Sequence, residues 1–111
     1  MRLKGKTAIV TGGASGIGKA ITAALSEEGA DVAIFDINQE GAQKVAADVS
    51  GRGGGKVSAV ACDVGDAGQV DAAFKQADQL LGPLNILVNN TGVIRFAKIV
   101  EMPEEDWDHI I

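Results

Sequence analysis

The sequence predicts an α/β fold in which a parallel sheet carries helices on both faces. Three observations lead there. Four short runs are apolar on both alternating faces, three helix-period stripes lie between them, and a glycine cluster sits where the first run meets the first stripe. Strands that alternate with helices of about 12 residues imply right-handed crossovers and parallel pairing. A chain of 111 residues holds one small domain, and no repeat, linker or low-complexity segment divides it.

The first strand is TAIV at 7–10, and the turn TGGASGIGKA at 11–20 leads into a helix. Ile17, Ala20, Ile21, Ala24 and Leu25 fall on one apolar stripe of that helix. Gly29 stands where a left-handed helix end favours glycine. DVAIF at 31–35 is the second strand, and Ala42, Val45, Ala46 and Val49 mark the core face of the second helix. GRGGG at 51–55 reads as a flexible turn with no further role before the third strand, KVSAVA at 56–61. The third helix shows Val70, Ala73, Phe74, Ala77, Leu80 and Leu81 on one face, with Asp66 as its expected N-cap and Gln69 closing a capping box. NILV at 85–88 is the fourth strand. Residues 92–103 read as a longer connection, and Pro103 with Glu104, Glu105 and Asp106 as the first turn of a further helix, poorly capped by Met102.

Composition narrows the function. Hydrophobic residues make up 46% and charged residues 23%, ordinary globular usage. A net charge of −5 with no basic cluster argues against a non-specific binder of nucleic acid or acidic membrane. Cys62 is the single cysteine, so no intrachain disulfide can form, which fits a reducing compartment. MRLKGK at the N-terminus is too short and polar for a signal peptide, and no apolar run approaches the ~20 residues of a membrane span. A soluble, cytoplasmic protein is the expectation. His109 has no second ligand to suggest a metal, and Cys62 reads as a small buried hydrophobe.

The turn admits two readings. From Gly13 it runs four residues to Gly18 and Lys19, nearly the phosphate loop of a nucleotide hydrolase; from Gly12 it runs three residues to Gly16, Ile17 and Gly18, nearly a dinucleotide-binding turn. Either would place an anion on the free N–H groups of a helix N-terminus. The hydrolase needs Ser or Thr after the lysine to hold Mg²⁺, and Ala20 stands there. The dinucleotide reading gains from Asp36 at the end of the second run, 18 residues after Gly18, where a carboxylate accepts hydrogen bonds from an adenosine ribose. That carboxylate would repel a 2′-phosphate, and the flanking Ser15 and Ile37 offer no positive charge, so NAD is favoured over NADP.

The spacing Gly-x-x-x-Gly-x-Gly in TGGASGIG resembles the cofactor loop of the short-chain dehydrogenase/reductase family. CDV at 62–64 is similar to that family's Asp-Val after the third strand, and NNTG at 89–92 to its Asn-Asn-Ala-Gly after the fourth, with Thr91 in place of Ala. The resemblance covers nearly the whole chain. It implies a Rossmann-type doubly wound parallel sheet of strand order 3-2-1-4, truncated after the fourth strand. It implies a cofactor site of Gly12, Ser15, Gly16, Ile17, Gly18, Asp36, Ile37, Asp63, Val64, Asn90 and Gly92, with Asp63 on the adenine amino group, Val64 flanking the ring and Asn89 bracing the sheet centre. It implies hydride transfer between NAD and an alcohol or ketone. The family's proton-delivering Tyr and Lys, with their Ser and Asn, lie C-terminal to this stretch; the chain has no Tyr, so no catalytic residue is expected within it. Its single domain, residues 1–111, then reads as the cofactor-binding half of an oxidoreductase or as an NAD-binding module without turnover. A bare fourth strand would associate with a C-terminal half or a second copy.

Overall fold

A computed structural model of the chain describes residues 2–90. The expectations placed on Gly92, on the connection 92–103 and on the helix opening at Pro103 fall outside those residues. The described elements are β1 (Thr7–Thr11), α1 (Gly16–Glu27), β2 (Asp31–Asp36), α2 (Gln39–Ser50), β3 (Val57–Ala61), α3 (Ala67–Leu81) and β4 (Ile86–Asn89). The four strands form one sheet in the order β3-β2-β1-β4, and every adjacent pair is parallel. This is the doubly wound arrangement expected from the sequence.

Period-two alternation sorts the strand side chains onto two buried faces. Ala8, Val10, Val32, Ile34, Val57 and Ile86 join Ala42, Val45, Ala46 and Val49 of α2 and Ala23 of α1 in one core. Ile9, Ala33, Phe35, Val60 and Leu87 join Val70, Ala73 and Ala77 of α3 in the other. So α1 and α2 cover one face and α3 the other, as the crossover from β3 past two strands to β4 requires. Phe35 meets Phe74 edge-to-face, with ring centroids 5.4 Å apart and an interplanar angle of 74°. Full burial of a side chain of that size contributes about 2–3 kcal/mol. Asn85 fastens β4 to the start of β1: its Oδ1 accepts from Thr7 N–H at 2.8 Å, and its own N–H donates to Thr7 O at 2.9 Å.

The stripes on α2 and α3 face the cores as the periodicity predicts, although Leu80 remains 42% exposed. The stripe on α1 does so only in part: Ile21 and Leu25 pack half-buried against the first core, whereas Ala20 and Ala24 are exposed. Ile17 is 70% exposed, and the buried positions are Gly18, Thr22, Ala23 and Ser26. The cause is proximity. A Cβ on Gly18 would collide with the Gly12 carbonyl and the Gly13 backbone, so a glycine is needed where α1 starts against the turn.

The helix ends also follow local chemistry. Asp66 caps α3, its side chain accepting from the N–H groups of Gly68 and Gln69. The expected capping box is displaced, because Gln69 Oε1 accepts from the N–H of Asp63 at 2.9 Å instead of reaching back to Asp66 N–H. Gly29 takes the left-handed conformation expected of it, with φ of +96°. The loop at 51–55 does more than turn. A Cβ on Gly54 would strike the Ser26 carbonyl and one on Gly55 the Ala30 carbonyl, while Ser26 Oγ donates to Gly55 O at 2.9 Å. The glycines let this loop lie directly on the end of α1.

Candidate functional site

The strand order reverses at β1, whose neighbours are β2 and β4. In open parallel sheets the crevice outside the carboxyl ends of the strands at such a point is where ligands bind. The glycine turn occupies that crevice. It begins at Gly12, whose φ of +67° bends the chain away from β1. Ser15 caps α1: its Oγ accepts from Gly18 N–H at 3.0 Å and donates to Gly12 O at 2.9 Å. The N–H groups of Gly16 and Ile17, in the first turn of α1, have no intrahelical acceptor and carry the positive end of the helix dipole. A Cβ on Gly16 would meet nothing within 4 Å, so the space beside this first residue of the helix is open.

Two strand tips hold the turn from either side. From β4, Asn90 N–H donates to Thr11 Oγ1 at 3.0 Å, and its Nδ2 donates to Gly12 O at 3.2 Å and Ser15 Oγ at 3.1 Å. Thr11 Oγ1 in turn donates to Asn89 Oδ1 at 3.1 Å, joining the tips of β1 and β4. From β2, Asp36 Oδ2 accepts from Ala14 N–H at 3.0 Å and Oδ1 from Asn38 N–H at 2.8 Å.

Beside the turn lies an open cleft of about 80 Å³ lined by Phe35, Asp36, Ile37, Cys62, Asp63 and Val64. Its walls carry two carboxylates and no cation. Ile37 is 75% exposed at its rim. Asp63 has a local duty as well, its Oδ1 accepting from Gly65 N–H at 2.9 Å. Cys62 is buried, and desolvation pushes its thiol up to about 11, with the carboxylates of Asp63 and Asp66 adding to the shift. Such a thiol is protonated and unreactive at neutral pH.

Lys19, the residue that a hydrolase loop would aim at a phosphate, instead pairs with Asp48 of α2 at 2.8 Å. Its hydrogen bond to Asp48, joined by the charge of Arg52, holds that carboxyl below its ordinary range. No group of three or more His, Cys, Asp or Glu among the described residues is placed to hold a metal ion, and no helix among them is long and apolar enough to cross a membrane.

The structure therefore gathers Gly12, Ser15, Gly16, Ile17, Gly18 and Asn90 around the turn. It sets Asp36, Ile37, Asp63 and Val64 around the adjoining cleft. Two features escaped the sequence: the bond from Ala14 to Asp36, and the part played by Phe35 and Cys62 in the cleft wall. Cys62 could have been inferred from its place beside Asp63. A backbone amide at Ala14 leaves no mark in a sequence.

The family model described as short chain dehydrogenase matches residues 6–111. The 3-oxoacyl-acyl-carrier-protein reductase FabG of Thermotoga maritima is 41% identical over 111 residues, which is 100% of this chain and 45% of that protein. The D-threitol dehydrogenase of Mycolicibacterium smegmatis is 47% identical over 107 residues, 96% of this chain and 41% of that protein. Among solved structures, a short-chain dehydrogenase/reductase from Serratia marcescens superposes with a TM-score of 0.76 and 44% identity, over 81% of this chain and 37% of that one. An NAD⁺-bound xylitol dehydrogenase does so with a TM-score of 0.75 and 30% identity, over 78% and 33%. The chain thus spans under half the length of the curated relatives it matches.

Proposed function

The chain belongs to the short-chain dehydrogenase family, and from that premise we propose that it is the cofactor-holding part of an NAD-dependent oxidoreductase interconverting an alcohol and a ketone. The observation that carries this reading is the open space beside Gly16 at the amino end of α1, with Asp36 hydrogen-bonded to the same turn. A pyrophosphate would lie over the amides of Gly16 and Ile17, where an anion meets free N–H donors and the positive end of the helix dipole. Gly12 and Ser15 shape the turn, and Gly18 lets the helix approach the sheet closely enough to support it. Asp36 would take the hydroxyls of the adenosine ribose. Asp63 and Val64 would border the adenine in the cleft, with Ile37 at its rim. Asn90, and Gly92 by its place in NNTG, would lie along the rest of the cofactor.

NAD is favoured over NADP by charge. A 2′-phosphate would sit against Asp36 in a cleft whose walls hold a second carboxylate and no cation. When bound, the nicotinamide group supplies the hydride chemistry, and the protein contributes binding, orientation and proton delivery. The residues described here serve the first two. Proton delivery is assigned to residues outside these 111, which include no Tyr. The whole protein would join this half to a C-terminal half, or to another copy, along the edge of β4 that pairs with no strand among the described residues.

The test is nicotinamide absorbance in the intact protein, with a panel of secondary alcohols and either NAD or NADP. Reduction of NAD at a kcat/KM at least about tenfold above that for NADP is expected, a difference of about 1.4 kcal/mol. NAD binding without turnover of any alcohol would favour a holding module, and a preference for NADP would overturn the charge argument.

A further inference from the structure

We propose that Asp36 is a positioning residue for the glycine turn, not only a contact for the sugar. β1 and β2 pair in register up to Thr11 and Phe35, and Gly12 N–H then donates to Phe35 O at 2.8 Å. In a parallel ladder alternate residues of one strand face the same neighbour, so the next donor in line is Ala14 N–H. By then the chain has turned at Gly12, and no strand carbonyl meets that donor. Asp36 Oδ2 does, at 3.0 Å. The carboxylate continues the ladder one rung past the end of the strand. Its other oxygen accepts from Asn38 N–H, the capping residue of α2, and its backbone carbonyl accepts from Cys62 N–H at 3.1 Å. One residue therefore ties the turn, the start of α2 and the wall of the cleft together, using this chain's own atoms alone.

Cofactor choice and turn geometry are then coupled through one side chain. Each carboxylate oxygen already holds one backbone donor and keeps lone-pair capacity for one hydroxyl more. A substitution at residue 36 meant to admit a 2′-phosphate also unties Ala14 and loosens the amides over which the pyrophosphate would lie. The sugar contact rests on the reading of the preceding subsection, whereas the tether to Ala14 does not.

The experiment compares wild type with Asp36→Ala, Asp36→Asn and Ser50→Ala in the intact protein. Ser50, whose Oγ bonds Val57 where β3 begins, is a control for general loss of stability. Amide exchange without ligand is read first. The Ala14 amide is expected to exchange at least about tenfold faster in Asp36→Ala, to recover in part in Asp36→Asn, whose amide oxygen can still serve one donor, and to stay unchanged in Ser50→Ala. Affinity is read next, for NAD and for its analogue lacking both hydroxyls of the adenosine ribose. If Asp36 also holds the turn, Asp36→Ala still loses about threefold or more toward the analogue, which has no hydroxyls to offer it. Unchanged exchange at Ala14, or measurable binding of the analogue with equal affinity in wild type and Asp36→Ala, overturns the proposal. Should Asp36→Ala fail to fold, Asp36→Asn carries the same comparison. Faster exchange at Ala14 in a protein that binds neither ligand would uphold the tether and overturn the cofactor reading.

Discussion

Two glycine-rich segments of this chain use the same residue for opposite ends. In the turn at 12–18 two glycines create an opening, Gly12 by bending the chain and Gly16 by leaving the space beside it clear, while Gly13 and Gly18 pack against Ile34 and the Gly12 carbonyl. In the loop at 51–55 they close a gap, for Gly54 and Gly55 press against the carbonyls of Ser26 and Ala30. The two segments lie at opposite ends of the parallel strands, the turn after β1 and the loop before β3. Glycine content alone says only that backbone comes close to something. Whether that something is a ligand or another stretch of the protein is decided position by position, by what a Cβ there would meet.

The contrast can be broken by substitution. The largest effect should come from Gly55→Ala, where the new methyl group runs into main chain that cannot yield. A loss of about 3 kcal/mol or more in folding free energy is expected, measured by denaturant titration. Gly16→Val should do the reverse. The added side chain enters open space, so folding stability should move by no more than about 1 kcal/mol, while NAD affinity falls about a hundredfold because the side chain fills the pyrophosphate's place. If Gly16→Val binds NAD as wild type does, the turn is not the binding element.

Smaller effects test the packing between these two segments. Thr22 is fully buried in α1, and its Oγ1 finds no hydrogen-bond partner among the described residues. Thr22→Val removes an unpaired hydroxyl at nearly constant shape, and should leave stability unchanged or raise it by up to about 1 kcal/mol. A clear loss would reveal a partner for that hydroxyl. The least effect is expected at the exposed pair of Lys19 and Asp48. The carboxyl is held below its ordinary range in the folded state, so the pair contributes above the unfolded value of 3.8 and its contribution is lost as pH falls through the lower folded value. Asp48→Asn should therefore lower Tm slightly at neutral pH, and the difference from wild type should vanish in strong acid, with NAD affinity unchanged throughout. Loss of NAD binding in Asp48→Asn would return Lys19 to the phosphate site.

Much of the fold was legible because parallel strands and their covering helices leave strong hydrophobic patterns. The stripe of α2 names its buried residues one for one, and that of α3 includes all of its buried residues together with the partly buried Phe74 and Leu81. The stripe of α1 was right only at Ile21 and Leu25, since the fully buried positions are Gly18, Thr22, Ala23 and Ser26, and residues selected for smallness carry little hydrophobic signal. The loop at 51–55 misled for the same reason: glycine chosen for close packing looks like glycine chosen for freedom. In the site, Asp36 and the glycines stood out through their combined spacing, since an aspartate at a strand end is ordinary by itself. The tether from Ala14 was invisible because it uses a backbone N–H, whose position only the folded chain defines.

Calorimetric titration of the intact protein with NAD and with NADP tests most directly whether the turn and Asp36 form one cofactor site. Binding of NAD at least about tenfold tighter than NADP, with the preference lost in Asp36→Ala, is the predicted result. Equal affinities in wild type, or a preference for NAD that survives in Asp36→Ala, would contradict it.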